Sequence, residues 1–143
     1  MPESAIEREP GCKKPHVGVG VIIRHDQKIL LGRRIKPPMT GSWQLPGGWI
    51  SLGESPEQTV TRLLDSFTGG RFSAYQFINW TNNLFDQNTH SLTLYFMTEC
   101  INGDLMDLSQ NTQCSEWYWA DWLNLPQPLF LPLKRLQQTG FIP

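Results

Sequence analysis

A loop that leads into a capped amphipathic helix constrains the fold of this chain more than any other segment. Ser55 suits the N-cap position, Pro56 the first helical position, and Gln58 stands three residues after the cap, as in a capping box. One face of the following segment is apolar, at the spacing i, i+3, i+4 and i+7: Val60, Leu63, Leu64 and Phe67. We therefore predict a helix over residues 56–67, which the glycine pair 69–70 ends.

Strand signals surround this helix on both sides. Runs of β-branched and aromatic residues predict six strands, over residues 17–23, 28–31, 42–45, 72–81, 90–100 and 115–119. Residues 82–88 are predicted to form a loop, residues 129–138 a second helix, and residues 1–15 a flexible tail. This order predicts an α+β fold with a mixed sheet between helices, in one domain over residues 16–143.

The composition excludes several classes of function. The chain has 143 residues, 39% of them hydrophobic, and a formal net charge of −1. That is enough apolar material for one compact core, and the weak charge predicts neither a nucleic-acid nor a membrane partner. Cys12, Cys100 and Cys114 are too widely spaced for a C-x-x-C site, and the N-terminus lacks the apolar stretch of a secretory signal. We expect a soluble cytoplasmic protein and leave its oligomeric state open.

The segment from Gly48 to Arg62 resembles the first half of the Nudix box, G-x5-E-x7-R-E-U-x-E-E-x-G-U, where U is a bulky apolar residue. Glu54 and Arg62 stand at the box spacings. Residues 19–24, 30–34, 44–48 and 116–126 also resemble segments of MutT-type members. The resemblance covers residues 16–143. It implies the Nudix fold, the activity of a nucleoside di- or triphosphate pyrophosphohydrolase, and a Glu54–Arg62 pair that braces the loop.

The second half of the box departs from the family pattern. Leu63, Ser66 and Phe67 stand where the box has glutamates, while Gly69 keeps its place. In the family these carboxylates share one helix face and hold the Mg²⁺ or Mn²⁺ that clamps the pyrophosphate and activates water. The replacements predict that hydrolysis is weak or absent. GDP-mannose mannosyl hydrolases, which this chain also resembles, share the leucine but keep the last glutamate, which Phe67 replaces here.

Other carboxylates on the predicted helix do not restore the site. Asp65 lies about 200° around the helix from Leu63, and Glu57 about 120°. Ligands from elsewhere are weak candidates because none has tight metal-ligand spacing: the Gly48 carbonyl, Asp86, His90 and Glu116.

The resemblance also implies substrate contacts. Arg34 matches a phosphate-facing arginine, and Gln44 and Leu45 match positions that contact the base. Leu131 and Pro132 differ from the aromatic and small residues that relatives place against the base, which weakens the case for a purine. A tryptophan such as Trp43, Trp49 or Trp80 could stack on a base.

Two hypotheses about function remain open. The first is an active hydrolase of nucleotides or nucleotide sugars with a non-standard metal site. The second is a non-catalytic nucleotide- or partner-binding domain, which the missing carboxylates favour.

Overall fold

The computed structural model describes residues 14–101, 108 and 112–143, which form seven strands and two α-helices around one mixed sheet. The strands are β1 His16–His25, β2 Lys28–Arg34, β3 Trp43–Gln44, β4 Gly47–Trp49, β5 Gln76–Asp86, β6 Thr89–Glu99 and β7 Cys114–Asp121. The helices are α1 Pro56–Thr68 and α2 Leu131–Gln138, and a short 3₁₀ helix covers Trp122–Asn124. No helix among these residues is long and apolar enough to cross a membrane.

The strand order is β3-β2-β1-β6-β5, with β4 paired to β1 and β7 paired to β2. β1 runs parallel to β6, and the other pairs are antiparallel. β1 and β2 are joined by a two-residue turn, Asp26-Gln27, in which both residues have positive φ, as such hairpins require. Their pairing extends only to Arg24↔Ile29, so the start of β1 is left to pair with β4.

The middle of β1 is buried on both faces of the sheet, which explains its continuous apolar run. Val19, Val21 and Ile23 pack in the cluster that contains the apolar face of α1. Ile22 packs in a second cluster with the leucines of α2. The prediction of a mixed sheet between helices is therefore confirmed.

The prediction of a loop over residues 82–88 is wrong for residues 82–86, because β5 continues to Asp86, and Gln87-Asn88 alone form the turn to β6. Asn83 is fully buried, and its amide nitrogen donates to Ser91 Oγ at 3.1 Å and to Thr93 Oγ1 at 3.0 Å across the strand pair. Hydrogen-bonded polar side chains therefore take the place of the apolar alternation that marks most strands, and the asparagines of this segment resemble a loop in sequence.

A missed strand, β4, and the starts of α2 and β5 also differ from prediction. β4 was missed because two of its three residues are glycines, yet a Cβ at Gly47 would lie 2.5 Å from the Val19 carbonyl oxygen, so the strand depends on glycine there. α2 begins at Leu131 rather than Leu129, which forms an isolated bridge with Trp43. β5 begins at Gln76, and Phe72 makes only an isolated bridge with Cys100. Of the predicted tail, residues 1–13 lie outside the described residues.

Candidate functional site

A bidentate ion pair between Glu54 and Arg62 ties the loop after β4 to α1. Arg62 Nε donates to Glu54 Oε2 and Arg62 Nη2 to Glu54 Oε1, both at 3.0 Å. Arg62 Nη2 also donates to the Trp49 carbonyl oxygen at 3.1 Å. One guanidinium thus holds both the carboxylate and the end of β4 in fixed positions.

The Glu54 carboxylate accepts further hydrogen bonds from within the loop and helix. Thr59 Oγ1 donates to Oε1 at 2.7 Å, and the Ser51 backbone N–H donates to the same oxygen at 3.1 Å. The hydrogen bonds from Arg62, Thr59 and Ser51 lower the pKa of Glu54 from 4.5 to about 2. A carboxylate held this firmly in its charged form is suited to brace the loop and poorly suited to accept a proton.

The predicted capping box of α1 is present. Ser55 Oγ accepts from the Gln58 backbone N–H at 3.1 Å, and Gln58 Oε1 accepts from the Ser55 N–H at 2.8 Å. Gly69 ends the helix in the left-handed conformation, with φ 64°. The entry and exit of the helix are therefore both defined by local hydrogen bonds and by a glycine that tolerates positive φ.

The face of α1 that carries Leu63 and Phe67 is apolar and buried. Leu63 is 6% exposed and Phe67 is 2% exposed. The Phe67 ring meets Trp117 edge-on, with 5.1 Å between ring centroids. Leu63 Cδ2 would lie 3.2 Å from a Cβ at Gly48, so this leucine packs directly against β4.

Ser66 is the exposed member of the three replaced positions. Its hydroxyl donates to the Leu63 carbonyl oxygen of the preceding turn at 2.8 Å. The face therefore presents two buried hydrocarbon side chains and one hydroxyl that is hydrogen-bonded to its own helix.

This face does not fit a Mg²⁺ or Mn²⁺ ion. Both cations require several oxygen ligands, and Leu63 and Phe67 supply none while filling the adjoining space. The described parts of the chain also contain no group of three or more His, Cys, Asp or Glu residues that could hold a metal.

The other candidate ligands lie on separate strands. Gly48 lies on β4, Asp86 ends β5, and Glu116 lies on β7. Glu116 Oε1 is 3.6 Å from Arg33 Nη1, and Asp86 Oδ1 accepts from the Asn88 backbone N–H at 2.7 Å. His90 Nε2 lies 2.6 Å from Asn82 Oδ1 in the β5–β6 hairpin. Contacts of this kind are common for loop and strand residues. The role of these candidates as metal ligands stays a prediction.

Arg34 is held rigidly at the end of β2. Nε donates to the Pro38 carbonyl oxygen at 2.7 Å, Nη2 to the Pro37 carbonyl oxygen at 3.0 Å, and Nη1 to Gln44 Oε1 at 2.7 Å. The guanidinium carbon lies 4.2 Å from the centre of the Phe130 ring. Within the part of the chain that the structure describes, three of the five N–H groups of this side chain make these bonds.

Phe130 and Phe85 were not predicted as site residues. Their rings contact each other, with centroids 5.4 Å apart, and Phe130 also covers one face of Arg34. Phe130 comes directly before α2, and Phe85 lies in the segment that was predicted as a loop. No local sequence pattern indicates their proximity, because it depends on how the start of α2 meets β5.

The remaining predicted base contacts are largely internal. Gln44 and Leu45 are each 7% exposed, and Leu45 packs in the core cluster on the α2 side. Pro132 is buried, and its carbonyl oxygen accepts from the Tyr95 hydroxyl at 2.9 Å. Among the predicted stacking residues, Trp49 and Trp80 are more than half exposed, whereas Trp43 is half-buried. The predicted roles of Arg34, Gln44 and Leu45 in binding stay predictions.

Comparisons with known proteins agree with this architecture. The ADP-ribose pyrophosphatase of Methanocaldococcus jannaschii is 31% identical over 117 residues, which cover 81% of this chain and 68% of that protein. The 8-oxo-dGTP diphosphatase of Escherichia coli is 29% identical over 135 residues, covering 87% and 99% respectively.

Solved structures are similar over nearly the whole chain. The MutT NUDIX hydrolase of Burkholderia pseudomallei matches with a TM-score of 0.74 and 25% identity, covering 88% of this chain and 98% of that one. The NUDIX domain of Shewanella oneidensis NrtR, complexed with ADP ribose, matches with a TM-score of 0.70 and 27% identity, covering 98% and 96%. The family model for the NUDIX domain matches residues 14–140. The chain therefore belongs to the NUDIX family, among its MutT-like members.

Proposed function

We propose that this protein is a NUDIX domain that binds a nucleoside-diphosphate-linked ligand and hydrolyses it weakly or not at all. The observation that carries the proposal is the burial of Leu63 and Phe67 on the face where the family box has carboxylates. Members of the family generally use a divalent metal such as Mg²⁺ or Mn²⁺. Without that metal, the negative charge that develops on the pyrophosphate in the transition state has no counter-charge at this helix.

The role of Glu54 supports the same conclusion. Glu54 is the one glutamate of the box that this chain keeps. Its hydrogen bonds to Arg62, Thr59 and Ser51 depress its pKa to about 2, so it is a weak base. Loss of a positioned general base alone lowers an enzyme's rate by roughly 10²–10⁴-fold.

Support for the ligand class comes from relatives and from Arg34. One similar protein is an ADP-ribose pyrophosphatase, another is an 8-oxo-dGTP diphosphatase, and the NrtR NUDIX domain was crystallised with ADP ribose. These compounds share a nucleoside linked to at least two phosphates. Arg34, which is held by Gln44 and Phe130, can donate from its guanidinium to a phosphate without a metal.

Hydrolysis is tested by incubating the protein with ADP-ribose and, separately, with dGTP, in Mg²⁺ and then in Mn²⁺, and following the phosphorus NMR spectrum. We expect both spectra to change little or not at all over hours, while an active MutT-type enzyme treated in parallel consumes its substrate. Metal-dependent turnover at an enzyme's usual rate, on the order of 1 s⁻¹ or more, would overturn the proposal and favour a non-standard metal site. Asp86→Asn and Glu116→Gln would then show whether those carboxylates build it.

Binding is tested by titration calorimetry with the same two compounds and a pair of matched variants. Arg33→Ala and Arg34→Ala remove neighbouring arginines of β2, but only Arg34 contacts Gln44 and Phe130. Charge-assisted hydrogen bonds contribute about 1.5–3 kcal/mol, so Arg34→Ala should weaken binding roughly 10- to 100-fold and Arg33→Ala much less. Circular dichroism of both variants verifies folding. If the wild-type protein binds neither compound, the ligand half of the proposal is wrong.

A further inference from the structure

Large apolar side chains lie exposed on the side of the sheet that α1 covers only in part. Trp80 is 55% exposed, Phe77 52% and Leu84 58%, all on β5. Leu92 and Leu94 of β6 and Val17 of β1 lie beside them in the sheet. We name these six residues the β5–β6 face.

The register of the strands places the six residues on one side. Val17 pairs with Leu92, Val19 pairs with Leu94, and Trp80 pairs with Leu94 on the opposite edge of β6. Val19 and Leu94 both belong to the cluster that contains the apolar residues of α1. Because paired residues in a sheet point to the same side, the β5–β6 face continues the surface on which α1 packs.

α1 leaves this part of the sheet open because it packs over β1 and β4. Phe77 receives partial cover from Phe96, with ring centroids 5.5 Å apart, and Tyr75 covers Phe96 from the other direction. Toward Trp80 and Leu84 the side chains are more than half exposed. The result is an apolar surface that begins at the edge of the core and extends to the last strand of the sheet.

The face carries no charge of its own. None of its six members is acidic or basic. Two polar residues, Asn82 and His90, lie on the same side of the sheet, and Asn82 Oδ1 is 2.6 Å from His90 Nε2. The chain as a whole has a formal net charge of only −1, so two copies repel each other weakly.

The backbone edge of β5 is less suited than the side chains of this strand to contact another molecule. β5 is the end strand of the sheet, but its pairing with β6 is irregular between Phe77 and Asn79 and again between Leu84 and Asp86. The Trp80 backbone N–H is taken up by Asn79 Oδ1 at 2.8 Å. Irregularities of this kind bend an edge strand and discourage a further strand from pairing with it.

We infer that the β5–β6 face is the contact surface between two copies of this chain, related by a two-fold axis near Trp80. At their exposed fractions, and with about 150–250 Å² for each side chain, Trp80, Phe77, Leu84 and Val17 together offer roughly 400 Å² of apolar area per copy. A standard interface buries about 800 Å² per partner, somewhat more than half of it apolar. The face therefore supplies the apolar centre that such an interface requires.

A second copy fits this surface better than the segment before β1 does. Residues 1–13 include Glu3, Glu7, Arg8, Glu9 and Lys13, and their only large aliphatic residue is Ile6. A two-fold contact brings each patch against its own copy, so an uncharged apolar patch is complementary to itself. Tryptophan, which Trp80 supplies here, is among the residue types most enriched at the energetic centre of interfaces.

Sedimentation equilibrium of the full chain tests the inference over protein concentrations of about 1 to 100 µM. We expect the wild-type protein to approach twice the 16.4 kDa mass of one chain. Trp80→Glu and, independently, Leu84→Lys should raise the dimer dissociation constant at least 10-fold. Leu123→Glu, which adds a charge at an 83% exposed leucine after β7, is the matched control and should leave the dimer intact.

Two results would overturn the inference: a wild-type protein that stays monomeric throughout this range, or a dimer that Trp80→Glu and Leu84→Lys both leave unchanged. Circular dichroism establishes that each variant is folded, which we expect because the substituted side chains are more than half exposed. The readout is independent of nucleotide binding, so the outcome does not depend on the proposed function.

Discussion

The two halves of the Nudix box differ in the interactions that stabilise them. Around Glu54 and Arg62 the structure is polar and densely hydrogen-bonded, and it fixes the loop against the helix start. Directly after Arg62, at Leu63, and one turn further along, at Phe67, the helix is held by apolar packing against Gly48 and Trp117. The comparison teaches that the architecture of the loop and helix is separable from the metal ligands that the family places on it.

This separation has a physical basis. The ion pair, the capping box and the glycine at the helix end are local, and none of them involves an atom of the replaced side chains. Carboxylates clustered on one helix face repel one another unless a cation lies between them. Hydrocarbon at the same positions removes that repulsion and adds burial. We therefore expect the altered face to stabilise the fold more than the polar half does.

The largest expected effect is that of Phe67→Ala. Phe67 is 2% exposed and packs against Trp117, so its loss should lower the free energy of unfolding by about 3–5 kcal/mol. Ser66→Ala, the neighbouring exposed position, should change it by less than about 0.5 kcal/mol. Urea denaturation of the three proteins measures both values. A cost for Phe67→Ala below about 1 kcal/mol would show that the face is not a packed part of the core.

A smaller, pH-dependent effect is expected for Glu54→Gln. The native pKa of Glu54 is about 2, below its ordinary value of 4.5, so the charged carboxylate stabilises the fold above pH 4.5, and this contribution is lost as the pH falls toward 2. The difference in unfolding free energy between wild type and Glu54→Gln should therefore be constant near neutral pH and shrink across that acid range.

The same measurement on Glu57→Gln controls for the removal of a carboxylate from this helix outside the Glu54–Arg62 pair. A Glu54→Gln difference that persists unchanged down to pH 2 would mean that the ion pair is not what the carboxylate contributes. The polar half would then owe its stability to the cap and to packing alone.

Much of this structure follows from sequence because its determinants are local. The helix cap, the spacing of Glu54 and Arg62, and the apolar face of α1 lie within 15 residues of one another, and the structure shows each of them as predicted. The continuous apolar run of β1 likewise indicates a strand covered on both sides.

The structural features that the sequence did not predict depend on contacts between residues that are far apart in the chain. Asn83 is buried only because Ser91 and Thr93 of the neighbouring strand satisfy its amide, so the segment is polar and yet regular. Arg34 meets Phe130 across 96 residues of chain, and Trp117 reaches Phe67 only after β7 pairs with β2. Such contacts have no periodicity and no short motif.

The most direct test of the central claim is a titration of the wild-type protein with Mn²⁺, followed by the electron paramagnetic resonance signal of the free ion. We predict that the signal grows with added Mn²⁺ as it does in buffer, with and without ADP-ribose, because Leu63 and Phe67 offer the ion no oxygen. Stoichiometric loss of the free signal at micromolar Mn²⁺, abolished in Asp86→Asn or Glu116→Gln, would contradict the account and show a metal site assembled from other strands.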